Sequence, residues 1–169
     1  MNRILTAVLF ILLVSGKAWS QAAVTGQAFA EVIAALTATE TNQMNFGRFS
    51  PETNGGQIVL TPDGVRSAQG SVVLGGGLAQ PGIFNITGAP DATFTIQLPN
   101  EPAYLTHQGS NKTMQVTSWE SNPPAGTGTG TLNGGEEIVS IGATLMVGSI
   151  EDNPVGMYTG TFSLTFAYN

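Results

Sequence analysis

The side chains able to do acid–base chemistry in this 169-residue chain are few and scattered. The single histidine, His107, lies in the polar segment LTHQGSNK, where a solvated loop position is its simplest interpretation. A Ser-His-Asp triad needs a buried histidine oriented by a carboxylate, and no neighbouring residue predicts that environment. We therefore expect no nucleophilic hydrolase site around His107.

The acidic residues include two adjacent pairs, Glu136–Glu137 and Glu151–Asp152. Neighbouring residues of a strand point to opposite faces, so Glu136 and Glu137 cannot both line one glycosidase-type site. Asp63 and Asp91 stand alone, whereas a calcium loop alternates its acidic ligands over about a dozen residues. The sequence therefore predicts a protein that is not an enzyme and has no cofactor and no metal site.

Glycine and aromatic residues give the other candidate binding features. The glycine-rich stretches at 75–77 and 126–135 lack the Gly-Lys-Ser/Thr ending of a phosphate-binding loop and indicate turns and bulges. Trp119 and Tyr104 could form a stacking platform for a sugar ring. A position in the core is the stronger interpretation for the tryptophan of the predicted strand TMQVTSW.

The first twenty residues predict a secretory signal peptide. Asn2-Arg3 gives a positive start, Ile4–Val14 is an apolar run too short to span a bilayer, and Ala18-Trp19-Ser20 is a small-x-small cleavage pattern. We expect cleavage before Gln21 and export of the chain, with an uncleaved anchor as the alternative. No other stretch is apolar enough to span a membrane.

Residues 21–169 carry three cations, Arg48, Arg66 and Lys112, against eleven acidic residues, which gives a net charge of −8. An acidic chain of this kind has no basic stripe for nucleic acid and no attraction to an anionic membrane. The chain has no cysteine, so no disulfide can stabilise the exported protein. Its stability must come from a packed core or from a partner.

Period-2 patterning with almost no helical periodicity predicts an all-β protein. Turns such as Pro62-Asp63-Gly64 and Gly88-Ala89-Pro90-Asp91 separate the strands, and Asn122–Gly130 is interpreted as a loop. Roughly eight strands without crossover helices predict a single antiparallel β-sandwich. We expect them at Gln27–Thr37, Gln57–Thr61, Ser71–Leu74, Ile83–Thr87, Thr93–Leu98, Thr113–Trp119, Ile138–Val147 and Met157–Tyr168. The alanines of Gln27–Thr37 also allow a helix there.

The last fourteen residues, GMYTGTFSLTFAYN, alternate strictly between an apolar and a small polar face. The apolar face carries Tyr158, Phe162, Leu164, Phe166 and Tyr168, and only Gly160 interrupts it. Sheet edges are usually guarded by charges, prolines or bulges, and this segment contains neither a charge nor a proline. If it lies at an edge, it is a template for pairing with another chain.

The start of the predicted mature chain offers a strand that could pair there. Ala22–Leu36 (AAVTGQAFAEVIAAL) alternates small and apolar side chains. Termini are usually disordered unless they are tied down, so an apolar alternating terminus is best explained if it joins a sheet. That sheet can be its own or that of a neighbouring molecule.

Several short motifs resemble those of a known family. AVTGQ at Ala23–Gln27, QMNFG at Gln43–Gly47 and the final Tyr168-Asn169 are similar to subunits of chaperone–usher pili, of the archaic, spore-coat-protein-U-like type. The combination MNFGRFSP, TPDG, GATLMVG and G-x-Y-x-G-x-F-x-L-x-F-x-Y-N also resembles an exported bacterial family known only as a domain of unknown function.

The resemblance implies an immunoglobulin-like sandwich that lacks its last strand, which the next subunit donates. The organisation would be a signal peptide at 1–20, a donor strand or first strand at 21–36, and a pilin-like domain at 37–169. The implied partners are further copies of the chain, a periplasmic chaperone and an outer-membrane usher. The implied location is the periplasm in transit, followed by a cell-surface fimbrium.

Mapped onto this sequence, the resemblance assigns residues to a donor and an acceptor. The donor residues are Val24, Ala28, Ala30, Val32 and Leu36, with Phe29 and Ile33 as the other register. The acceptor edge comprises Phe162, Leu164, Phe166 and Tyr168. The competing hypothesis is a self-complete secreted β-sandwich that binds a glycan or a surface protein.

Overall fold

The computed structural model describes residues 21–169, and in that range every regular element is a strand. The predicted signal peptide lies outside the described residues. The chain divides into two units, one that ends at Val32 and one that comprises Ile33–Asn169. Residues 21–32 contain no strand, and the strands all belong to the second unit.

Eleven strands form the second unit. They are β1 (Thr37–Asn42), β2 (Phe49–Leu60), β3 (Arg66–Leu74), β4 (Gly82–Thr87), β5 (Thr93–Gln97), β6 (Ala103–His107), β7 (Thr113–Asn122), β8 (Gly126–Thr131), β9 (Glu136–Val147), β10 (Tyr158–Thr159) and β11 (Thr165–Tyr168). All strand pairs are antiparallel.

The central strand of the large sheet is β9, which is long enough to pair with three others. Its first half pairs with β4, its second half pairs with β2, and β7 lies along its other side. The sheet continues from β4 to β1, from β2 to β3, and from β7 through β6 to β10. A smaller sheet has the order β11-β5-β8.

Two buried clusters form the core. The first lies against the inner face of β2, β7 and the second half of β9, and its central members are Ile58, Val116 and Leu145. The second lies between the small sheet and the β4–β9 region, and includes Ile86, Phe94 and Ile141. Alternation along each strand produces both clusters, because every second residue of a strand points to the same face.

The predicted fold class, an all-β antiparallel immunoglobulin-like sandwich, is confirmed, and the strand list needs correction. Gly126–Thr131, predicted as loop, is strand β8. Gly130 lies against the ring of Phe94, where any Cβ would overlap the aromatic carbons, so glycine here permits sheet packing rather than marking a turn. Gln27–Thr37 is not a strand; the first strand begins at Thr37.

Arg66 fixes the backbone of the MNFGRFSP segment by hydrogen bonds. Its guanidinium donates hydrogen bonds to the carbonyl oxygens of Phe46 at 2.9 Å, Arg48 at 3.3 Å and Gly75 at 2.8 Å. These bonds tie the start of β3 to the segment before β2 and to the glycine loop after β3. Phe46 is thereby held in the first cluster, where it is buried.

We expect Arg66→Met to lower the free energy of unfolding by about 2 kcal/mol, because three carbonyl oxygens lose a charged donor. Arg48→Met is the matched control, since Arg48 is exposed, and should change stability by less than about 0.5 kcal/mol. Urea unfolding followed by tryptophan fluorescence measures both. Equal stability of the two variants would contradict the role assigned to Arg66.

Candidate functional site

The C-terminal strand crosses from one sheet to the other. It begins as β10, where Tyr158 and Thr159 pair with His107 and Thr106 of β6. It ends as β11, where Thr165–Tyr168 pairs with β5. Residues 160–164 between these parts pair with no strand of the described chain.

Gly160 makes this crossing possible. A Cβ at this position would overlap the backbone carbonyl oxygen of Tyr104 in β6 and press on Leu105. Its interruption of the apolar alternation therefore has a steric cause: the strand passes too close to the β6 backbone for a side chain.

The predicted alternation of the C-terminal strand is confirmed. Phe162, Leu164, Phe166 and Tyr168 are half-buried and pack on the second cluster, whereas the residues between them are exposed. The aromatic rings form a continuous row along the strand. Ring centroids are 4.7 Å apart for Trp119–Phe162, 6.3 Å for Phe162–Phe84, 6.3 Å for Phe84–Phe166 and 6.1 Å for Phe166–Phe94.

Two strand edges in this region have no partner among residues 21–169. β11 pairs with β5 on one side only, and β1 pairs with β4 on one side only. Phe84 of β4, the neighbour of β1, contacts both Phe162 and Phe166, so the two open edges flank one opening over the second cluster. We call this opening the cleft.

Within the unit of Ile33–Asn169, no element covers the inner face of β1 beside the cleft. Ala38 and Glu40 pair with Ile86 and Phe84 and share their face of the sheet, yet both are exposed. Residues on the core face of a sheet are normally covered by a second layer. Sequence reasoning missed β1 and Phe84 as parts of the site, because TATETN carries no apolar alternation.

Tyr168 closes one end of the cleft. Its hydroxyl accepts a hydrogen bond from the Ala89 backbone N–H at 2.6 Å and donates one to the Ala34 carbonyl oxygen at 2.9 Å. The hydroxyl lies where a Cβ of residue 88 would be, which requires the glycine found there. The end of β11 is thus tied to the residues that precede β1, so these two strands point in opposite directions along the cleft.

Most of the predicted donor residues are exposed. Val24 is 91% and Val32 97% exposed, and Ala28 and Ala30 are exposed as well. In the alternative register, Phe29 is 90% and Ile33 54% exposed. Leu36 differs, because it is half-buried against the second cluster of its own domain.

His107 is a structural residue rather than a solvated loop residue. It ends β6 half-buried, its Nδ1 accepts a hydrogen bond from the Gly109 N–H at 3.0 Å, and its Nε2 lies 3.2 Å from the Val155 carbonyl oxygen. Its ring also packs edge-on against Tyr158. Burial raises the pKa of Tyr158 above its ordinary value of 10.0, and the Asn153 side chain opposes this shift.

The acidic residues do not converge on a reactive centre. Glu136 accepts a hydrogen bond from Asn85 at 2.6 Å and Glu137 accepts one from Asn133 at 3.0 Å, which confirms that the two carboxylates serve different surroundings. Among residues 21–169, no three histidine, aspartate or glutamate side chains are grouped to hold a metal ion. The same range contains no helix long and apolar enough to cross a membrane.

Trp119 and Tyr104 point to opposite faces of the large sheet and do not form a joint platform. A bulge between Thr117 and Glu120, with Ser118 at φ 50°, places two residues opposite Ala143 and turns the indole inward. Trp119 then packs against both clusters, which confirms its core position. Tyr104 stands on the outer face and is 54% exposed.

We expect Gly160→Ala to destabilise the domain by about 1–3 kcal/mol, because the strand must move away from the Tyr104 carbonyl. Gly76→Ala is the matched control, since nothing lies within 4 Å of a Cβ at residue 76. Thermal unfolding followed by circular dichroism compares them. A Gly160→Ala protein as stable as the control would show that the crossing tolerates a side chain.

The family comparison identifies the domain but not its activity. A family described as "Domain of unknown function (DUF4402)" matches residues 36–168, a range that includes all eleven strands. The search of curated proteins finds no match. The chain therefore belongs to the DUF4402 family, and its resemblance to chaperone–usher pilins stays a hypothesis.

Proposed function

We propose that this member of the DUF4402 family is a structural subunit of a bacterial surface fibre, in which copies join by strand exchange. Residues 22–33 of one copy would lie in the cleft of the next copy. The observation that carries the proposal is the pair of unpartnered edges, β1 and β11, on either side of an apolar opening.

Backbone hydrogen bonding supplies the first part of the argument. An open edge presents alternate N–H and C=O groups that an added strand can satisfy, and the pairing is independent of side-chain identity. Nothing in β11 opposes such pairing, since Thr165–Tyr168 contains no charge, no proline and no bulge. A strand placed between β11 and β1 would also cover Ala38 and Glu40.

Side-chain burial supplies the second part. The exposed N-terminal segment alternates, so one of its two faces would enter the cleft over Phe84, Phe162 and Phe166. One face carries Val24, Ala28, Ala30 and Val32, and the other carries Phe29 and Ile33. Burial of a large apolar side chain contributes roughly 1.5–3 kcal/mol, so the two large side chains on either face would contribute on the order of 3–6 kcal/mol.

The proposal has consequences for export and partners. A chain with an open apolar cleft needs protection before exchange, which a periplasmic chaperone would give, and ordered assembly at the outer membrane would need an usher. The signal peptide predicted at 1–20 fits this route to a surface fimbrium. Within this proposal the subunit is a building element without catalytic residues, and His107 serves to hold the segment before β10.

Deletion of residues 21–30 should abolish polymerisation and leave the domain of Ile33–Asn169 folded, because the strands lie in that unit. Fibres sheared from expressing cells should give a ladder in SDS without heating that collapses to one band on boiling. The deleted chain should give only the monomer band. A deletion that unfolds the monomer would instead support the self-complete sandwich.

Single substitutions then identify the register. Phe29→Asp and Val32→Asp lie on opposite faces of the segment, so one should abolish the ladder and the other should weaken it much less. Val155→Asp is the matched control, because Val155 is 91% exposed in a loop outside the cleft. A ladder that survives both substitutions in the N-terminal segment would contradict the donor assignment.

A further inference from the structure

The outer face of the large sheet carries a straight row of side chains across five strands. The registers place Tyr104 opposite Gln115, Gln115 opposite Met146, Met146 opposite Gln57, and Gln57 opposite Gln69. Adjacent strands lie about 4.8 Å apart, so the row extends for roughly 19 Å. Gln57 donates a side-chain hydrogen bond to Gln69 at 2.8 Å, which aligns their amides.

The rows on both sides are also uncharged. On one side lie Thr117, Thr144, Val59 and Ser67, and on the other lie Thr159, Thr106 and Thr113. We call these three rows the amide face. Tyr104 is the one titratable residue of the amide face. Glu120 lies outside the amide face, where it pairs with Gly142.

The amide face is partly apolar and mostly accessible, although Thr144 is buried. Tyr104 is 54% and Met146 40% exposed, and both stand in the central row. Val73, which is 55% exposed, extends the apolar surface along β3. Tyr104 and Met146 stand two strands apart with Gln115 between them, so the face mixes apolar side chains with amide and hydroxyl groups rather than forming one apolar patch. Tyrosine and methionine are among the residue types enriched at protein–protein interfaces.

We propose that the amide face packs against the amide face of a second copy of this chain. The charge distribution favours this face for a contact between copies, because copies with a net charge of −8 over residues 21–169 repel one another least where charge is absent. In a contact with twofold symmetry, the central row of one copy would lie against the central row of the other. Glutamine amides both donate and accept hydrogen bonds, so the row is complementary to its own copy.

The contact is separate from the cleft. The amide face lies over the first cluster, on β2, β3, β6, β7, β10 and the second half of β9, whereas β1 and β11 flank the second cluster. Both surfaces can therefore be occupied together. If the chain forms fibres, and this consequence alone rests on the proposed function, weak contacts repeated along two fibres would join them laterally.

The test uses a matched pair of substitutions on one strand. Met146 and Ile138 both project from the outer face of β9, and Ile138, which is 60% exposed, lies beside β4 outside the amide face. Met146→Glu places like charges against each other across the twofold contact, and Ile138→Glu does not. Met146→Gln keeps the position uncharged and shows whether loss of the thioether alone matters.

Sedimentation equilibrium measures self-association of a chain that comprises residues 21–169 and carries Phe29→Asp and Val32→Asp. The two substitutions prevent strand exchange, so any association that is measured comes from another surface. Met146→Glu should weaken association by at least about tenfold, and about 0.5 M NaCl should restore part of it by screening. The association constants of Ile138→Glu and Met146→Gln should stay within about twofold of the parent's constant, because neither substitution places a charge in the contact.

Several results would overturn the proposal. A parent chain that stays monomeric at millimolar concentration has no such contact, and equal effects of Met146→Glu and Ile138→Glu would place the contact elsewhere. Binding of the neutral probe cellohexaose, lost in Met146→Glu without any self-association, would make the amide face a glycan site. Strand exchange is tested separately, on unheated SDS gels of the chain that retains Phe29 and Val32. A missing ladder there would contradict the proposed fibre and would leave the contact between amide faces unaffected.

Discussion

The backbone of β11, the end of the C-terminal strand, is hydrogen-bonded on one side only, by β5, and the second half of the core depends on this half-paired strand. An unpaired edge in a segment without charges or prolines can pair with any available strand. The C-terminal strand is held at this edge by its side chains, because Phe162, Leu164, Phe166 and Tyr168 pack on the second cluster. The domain therefore depends on side chains whose own strand remains open to a partner.

The first cluster provides the stable base for this arrangement. It is formed by long, well-paired strands, with β9 at the centre, and Arg66 and Trp119 fix the loops and the bulge at its margins. The second cluster is less enclosed, since the exposed inner residues of β1 lie at its border. The proposed assembly by strand exchange would require such a division between a well-enclosed half and an open half, because the subunit must stay folded before its partner arrives.

Alternation predicted the all-β fold and the buried face of the C-terminal strand, because burial on one face imposes period 2 directly on the residue types. The alternation rule failed at positions where a constraint other than burial determines the residue type. Gly130 and Gly160 look like interruptions, yet each permits a close approach of strands or rings. β1 is exposed on both faces and so left no apolar pattern, and the amide face depends on cross-strand register, which a single sequence does not contain.

Cross-linking between copies tests most directly whether the β11 edge accepts residues 22–33 of another molecule. The chain has no cysteine, so a single cysteine can be placed in each of two differently tagged copies. Ala167→Cys in one copy is paired with a scan of cysteines along the N-terminal segment of the other. Neighbouring strands bring Cβ atoms on one face to about 4.5–5.5 Å, within disulfide range. The account predicts mixed-tag disulfides whose yield alternates with every second donor position. Equal yields at all positions, or no mixed species, would contradict it.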